Sequence, residues 1–205
     1  MYINKWYNRD FKSVYYNRRI SDIWNLLDDE DDSVIILRED NTLYNMVSRE
    51  EIRSISSEIS EKKLFEIFDP VDNFLYEDDL VEDALLLMLE SKIKILPVVD
   101  NEMYPVGIFG IFEVLKAFRN VTSMDEPGTK VMMILDDKPG KLKNIIDILS
   151  KKNINILSLI TNKIDDTTRM LTLKLDVKNV NFVSDLLENN SIEYEGIFEE
   201  DGEYY

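Results

Sequence analysis

The side chains that most often carry chemistry near neutral pH are missing from this chain. It has no histidine and no cysteine, which removes the commonest general base, the commonest transition-metal ligand, thiolate nucleophiles and every Ser-His or Cys-His pair. Carboxylates and lysines remain, but no paired motif stands out. The chain therefore reads as non-catalytic, with no cofactor required. What it offers instead are short constellations suited to binding. Ser48-Arg49-Glu50-Glu51 and Gly110-Ile111-Phe112-Glu113 each put a carboxylate three residues after a small residue at a strand-to-helix junction. Asp137-Lys138-Pro139-Gly140-Lys141-Leu142 opens another helix. There Pro139 presets the backbone angle, Gly140 lets the backbone approach a ligand, and free amides attract a carboxylate.

Each constellation also has a plainer structural reading. Ser48 and Glu51 spell a capping box, which needs no ligand. Glu113 is either a ligand contact or an exposed helix residue. Pro139-Gly140 can simply start a helix, and Asn155 can simply end a turn. Asp28-Asp29-Glu30-Asp31-Asp32 could hold a hard cation but lacks the Gly and spaced ligands of a calcium loop, so a solvated loop suits it better. The aromatics Trp6, Tyr7, Phe11, Tyr15 and Tyr16 could stack on a flat heterocycle or fill a core or dimer contact.

These residues must be held by elements, and the apolar pattern supplies them. Hydrophobic residues make up 44% of the 205, enough for a core in each of two modest domains. No run of eighteen apolar residues suggests a membrane span, and Met1 to Trp6 lacks the pattern of a signal peptide. A cytoplasmic location follows. The net charge is −17, with 41 acidic against 24 basic side chains. Both the part up to Met124 and the remainder are acidic, which argues against nucleic acid and anionic membrane as partners.

The first 120 residues contain an internal repeat with an offset of about 62. Amphipathic helices around Asp22 and Asp83 lead to the apolar runs Val34-Ile35-Ile36-Leu37 and Ile95-Leu96-Pro97-Val98-Val99, which read as buried strands. A polar turn, a second strand (Leu43 to Val47, Val106 to Phe109) and a second helix from Arg49 or Ile111 complete β-α-β-β-α twice. After the linker Asp125-Glu126-Pro127-Gly128, strands Lys130 to Leu135, Ile156 to Ile160, Met170 to Leu175 and Ile192 to Ile197 alternate with two helices. That is βαββαβ, the ferredoxin-like order. The fold class is α+β. The divisions are 1–62 and 63–122 for the repeats, 123–129 for the linker, 130–198 for the third unit, and 199–205 for an acidic tail read as frayed. A lone βαββαβ unit leaves a sheet face and edges open, which points to a homodimer.

Leu96-Pro97-Val98-Val99-Asp100 followed by Val106-Gly107-Ile108-Phe109 resembles the signature of CBS domains, and the first repeat is a degenerate second copy with Asn45 where the other has Gly107. The resemblance implies a tandem pair whose cleft holds an adenosine ligand such as AMP, ATP or S-adenosylmethionine. Carried over position by position, it implies nucleotide contacts at Ser48, Glu51, Leu96, Pro97, Gly110 and Glu113. Both positions where the family has a ribose-binding Asp are Glu here. The turn from Asp137 to Leu142, with Asn153-Ile154-Asn155-Ile156 after it, is similar to the two hallmarks of ACT domains. That resemblance implies amino-acid binding at Asp137, Pro139, Gly140, Leu142 and Asn155. The order CBS-CBS-ACT looks like the acetoin utilisation B protein family, which implies a regulatory sensor of a small-molecule effector acting on a protein partner. The competing reading is an adaptor that dimerises and binds nothing small.

Overall fold

The computed structural model describes residues 1–24, 26–27 and 33–202. The acidic run Asp28 to Asp32 lies outside them. The chain divides into two compact units, Met1–Ala117 and Phe118–Tyr205.

The first unit contains the repeat in the expected order. Strand β1 (Lys12–Tyr15), helix α1 (Ile20–Trp24), β2 (Ser33–Leu37), β3 (Leu43–Ser48) and helix α2 (Arg49–Ser54) form the first copy. Strand β4 (Leu75–Tyr76), helix α3 (Val81–Ser91), β5 (Ile95–Val99), β6 (Pro105–Gly110) and helix α4 (Ile111–Val121), whose residues from Phe118 on belong to the second unit, form the second. Each copy has a three-stranded sheet in which the first strand runs parallel to the second and the second antiparallel to the third. The apolar runs read as buried strands are β2 and β5, the central strand of each sheet. Pro97 is tolerated there because it stands opposite Ile108, whose N–H and C=O both turn away from β5 to pair with Asn8. No ladder bond is lost to the missing proline N–H on that side.

The segment that leads into each repeat lies on the other repeat. Ile3 N–H donates to Asp79 O (2.9 Å), Val81 N–H to Met1 O (2.7 Å), and Asn8 and Ile108 exchange two backbone bonds. The first repeat mirrors this: Leu64 N–H donates to Arg18 O (2.9 Å) and Ile20 N–H to Lys62 O (3.1 Å). The exchange explains Gly107. The Tyr7 ring and the Asn8 carbonyl oxygen press on it so closely that an added Cβ would lie 2.5 Å from Asn8 O.

The second unit is β7 (Gly128–Asp136), α5 (Lys141–Lys151), β8 (Ile156–Lys163), β9 (Thr168–Leu175), α6 (Val180–Glu188) and β10 (Gly196–Glu200). The sheet order β10-β7-β9-β8, antiparallel throughout, is ferredoxin-like. Val131 and Met133 of β7 alternate inward to meet Leu171, Leu173, Ile145, Leu149, Val183 and Leu187. The last strand begins later than the sequence suggested. Helix α6 ends in a turn with Ser191 at φ +56 and Ile192 N–H bonded to Leu187 O, so Ile192 and Tyr194 pack as a connection before pairing starts. Nor does the acidic tail fray at Glu199 and Glu200, which belong to β10. Glu200 is ion-paired to Lys130 and, at 2.7 Å, to Lys174, a lysine with 0% exposure.

Candidate functional site

The two strand-to-helix junctions of the first unit are built alike. Ser48 is the N-cap of α2: its Oγ accepts from Glu51 N–H at 3.2 Å, and the Glu51 carboxylate accepts the Ser48 amide at 2.7 Å. At the start of α4, Gly110 brings no hydroxyl, but its N–H donates to Glu113 Oε2 at 3.0 Å. The other carboxylate oxygen lies 3.1 Å from Lys116 Nζ. Glu113 is 8% exposed, so of its two readings, ligand contact or exposed helix residue, the second does not hold. An amide and an ammonium partner make burial of that carboxylate tolerable.

These junctions lie near one another across the repeats. Ile111 N–H donates to Lys94 O (3.2 Å), and Lys94 Nζ lies 3.4 Å from Glu50 Oε1, two residues from Ser48. The strand residues divide. Pro97 alternates with Leu96 and shares its face with Val99, which packs against Ile35 and Leu43 of the first repeat. Leu96 instead points into the core of the second repeat beside Val98 and Phe109, so toward the first repeat it offers backbone rather than side chain.

The turn before α5 forms the mouth of a concavity of about 370 Å³ lined by Asp136 to Leu142, with Leu135, Thr161, Arg169 and Leu171. Asp137, Pro139, Gly140 and Leu142 are thus brought together. Asp136 sits 2.9 Å from Lys141 and 3.6 Å from Lys138. The bond from Lys141, then the charges of both lysines, hold its carboxyl below the usual range. Asp137 is 2.9 Å from Arg169 Nε. Gly140 has φ +86, and a Cβ there would meet nothing within 4 Å. Its free side opens on solvent. Asn155 does not join this group. It follows α5, whose 11 residues span about 16 Å, and its amide is bonded to Asp176 Oδ1 at the far end of the sheet. Thr161 and Arg169 were missed by the sequence reading. The signal for Arg169 was its place two residues before Leu171, directly across from Leu135.

The aromatic cluster disperses into structural roles. Tyr7 is buried in the core of the second repeat, with Trp6 packed against it. Phe11 packs between the repeats, and Tyr16 meets Tyr44 and Phe65. Tyr15 alone of the five keeps a largely exposed ring. Among the described residues no group of three acidic side chains is placed to hold a metal, and no helix is long and apolar enough to cross a membrane.

A family model for the CBS domain matches residues 66–120. No curated protein matches the chain. Among solved structures, the chain is similar to protein MJ1004 from Methanocaldococcus jannaschii, with 21% identity, 74% of this chain and 68% of the other covered, and a TM-score of 0.55. It is similar to the CBS domain pair of protein MJ0100 in complex with 5′-methylthioadenosine and S-adenosyl-L-methionine, with 18% identity, 58% and 95% covered, and a TM-score of 0.51. A CBS domain pair/ACT domain protein from Thermotoga maritima gives 25% identity, 58% and 96% covered, and a TM-score of 0.49. The first unit has the fold of a CBS domain pair, and residues 66–120 match the family model of a CBS domain.

Proposed function

We propose that this chain is a non-catalytic regulatory sensor of the cytoplasm. An adenosine compound such as AMP, ATP or S-adenosylmethionine occupies the cleft of the first unit. An amino acid occupies the turn at Pro139 and Gly140, and the change of conformation is read by a protein partner. The observation that carries the reading is the CBS family match over residues 66–120 set in the fold of a pair; the MJ0100 pair of similar fold is a complex with two adenosine compounds. In this cleft Glu113 Oε2 stays on the Gly110 amide, and the oxygen facing Lys116 receives ribose hydroxyls. Binding that favours one arrangement of the cleft shifts the population toward it. The covalent route to the second unit is α4, which starts at this site.

A thermal-shift panel of AMP, ATP, S-adenosylmethionine and the twenty amino acids tests it, since a ligand that binds the folded state raises the melting temperature. The adenosine compounds should stabilise the wild type and lose most of that effect in Glu113→Gln. Amino-acid hits should disappear in Gly140→Val. No shift from any adenosine compound rejects the sensor.

The second reading is an adaptor that binds nothing small. It draws on the two caps, which already employ Glu51 and Glu113, and on the apolar side chains that α3 and α4 expose. Both readings include a homodimer.

A further inference from the structure

We propose that the first repeat carries a separate binding site for a phosphorylated sugar, at the end of its sheet opposite Ser48. A concavity of about 480 Å³, within the range of small-molecule sites, is lined by Tyr15, Asn17, Arg18, Glu39 and Lys63. Tyr15 ends β1 and Glu39 follows β2, whereas Ser48 is at the other end of β3. This site therefore shares no residue with the cleft between the repeats.

Its cations are assembled by the exchanged backbone. Arg19 and Lys63 face each other in an antiparallel bridge, flanked by the bonds from Leu64 N–H to Arg18 O and from Ile20 N–H to Lys62 O. Two pairs of adjacent cations, Arg18–Arg19 and Lys62–Lys63, distant in sequence, are thus brought together on a chain of net charge −17. Arg19 is taken by Glu61 at 2.5 Å, while Arg18 and Lys62 have no ion pair among the described residues and Lys63 lies over the Phe65 ring.

The second repeat is an internal control. The same two bonds join Ile3 to Asp79 and Val81 to Met1, so Arg18 corresponds to Asp79, Asn17 to Asp78, and Lys62 and Lys63 to Met1 and Tyr2. Tyr76 matches Tyr15. The backbone forms without any of these cations, so the fold does not require them.

The remaining walls specify more than a bare anion. The Tyr15 hydroxyl donates to Asn41 Oδ1 at 2.7 Å, which fixes a ring that is 40% exposed. Glu39 sits in a turn ordered by Asp40, whose carboxylate accepts from the Thr42 amide and hydroxyl. A guanidinium matches phosphate geometry with two donors, and an ammonium adds charge beside it. Glu39 accepts hydroxyl protons, and the Tyr15 ring offers a flat face to the sugar.

The test is titration calorimetry of the full chain with ribose 5-phosphate, inorganic phosphate and ribose. Ribose 5-phosphate should bind, inorganic phosphate should bind at least tenfold more weakly, and ribose should give no heat. Arg18→Ala and Lys63→Ala should each weaken ribose 5-phosphate by about 10- to 100-fold, whereas Glu113→Gln should leave it unchanged. Arg18 and Lys63 are both exposed, and unchanged melting curves of their variants would exclude unfolding as the cause. No binding at about 10 mM ribose 5-phosphate, binding that survives both alanine variants, or inorganic phosphate binding as tightly would each overturn the proposal.

Discussion

Glu113 Oε2 lies 3.0 Å from the Gly110 amide it accepts, in a setting that leaves Glu113 only 8% exposed. Its counterpart Glu51 caps Ser48 at 2.7 Å at an exposed position. Removing the first leaves a buried donor unsatisfied, while removing the second leaves an amide that water can take. Glu113→Ala should therefore cost about 1–3 kcal/mol and Glu51→Ala about 0.5–1 kcal/mol. Urea unfolding of both variants measures the difference, and equal costs would show that burial at Glu113 has no energetic weight.

Gly107 and Gly110 lie three residues apart and should respond differently to alanine. A Cβ at Gly107 runs into the Tyr7 ring and the Asn8 backbone. At Gly110 it would sit 3.3 Å from the Glu113 carboxylate, whose side chain can give, and 3.4 Å from Lys94 O. Gly107→Ala should cost about 1–3 kcal/mol by overpacking and release residues 1–8. Limited proteolysis should then cut near Arg9 in Gly107→Ala well before it does so in Gly110→Ala.

Acid should loosen the second unit through Glu200. Burial pushes its carboxyl up, but the bonds and charges of Lys130 and Lys174 outweigh that and leave it below the ordinary range. A carboxyl lowered in the folded state stabilises it above the unfolded value. That stability is lost as pH falls through the folded value, so the window lies below about pH 4.3. Melting temperature recorded from neutral pH downward should fall in that window for the wild type, and less steeply for Glu200→Gln.

Helices α3 and α4 expose large apolar side chains, with Phe112 at 71% and Leu89 at 64%, beside Leu86 and Leu115 on the same two helices. Exposed large apolar side chains of this kind can mark an interaction site, and a second copy of the chain would cover them by two-fold symmetry. Light scattering should give a dimer mass for the wild type and 24.1 kDa for the double variant Phe112→Glu, Leu115→Lys. A dimer that persists in the double variant would assign association to another surface.

The repeat and the ferredoxin-like order were legible because each buried strand is a run of β-branched and aliphatic residues, and each helix keeps its period. The cap at Glu113 was not read from the sequence. Gly110 and Glu113 have the spacing of Ser48 and Glu51, and glycine is an accepted N-cap; the absent hydroxyl hid it. The distance of Asn155 from Gly140 followed from order alone, since an 11-residue helix separates them. The meeting of Arg18 with Lys63 was not legible, because a single backbone bridge between irregular segments leaves no periodic trace. The late start of β10 was hidden for a related reason: Ile192 and Tyr194 alternate like a strand but face the core without a partner.

The exchanged lead segments also govern how this chain comes off the ribosome. When residue 61 has emerged, the first repeat still lacks the Lys62 to Phe68 strip that seals it. Residues 1–8 have nothing to lie on, because Asp79 and Ile108 do not yet exist. The N-terminal ammonium finds its Glu82 partner across a separation of 81 residues. The first repeat therefore cannot close until Phe68 has been made, and residues 1–8 stay unpaired until the strand ending at Gly110 reaches them; long-range pairings of this kind fold slowly and expose apolar strands meanwhile.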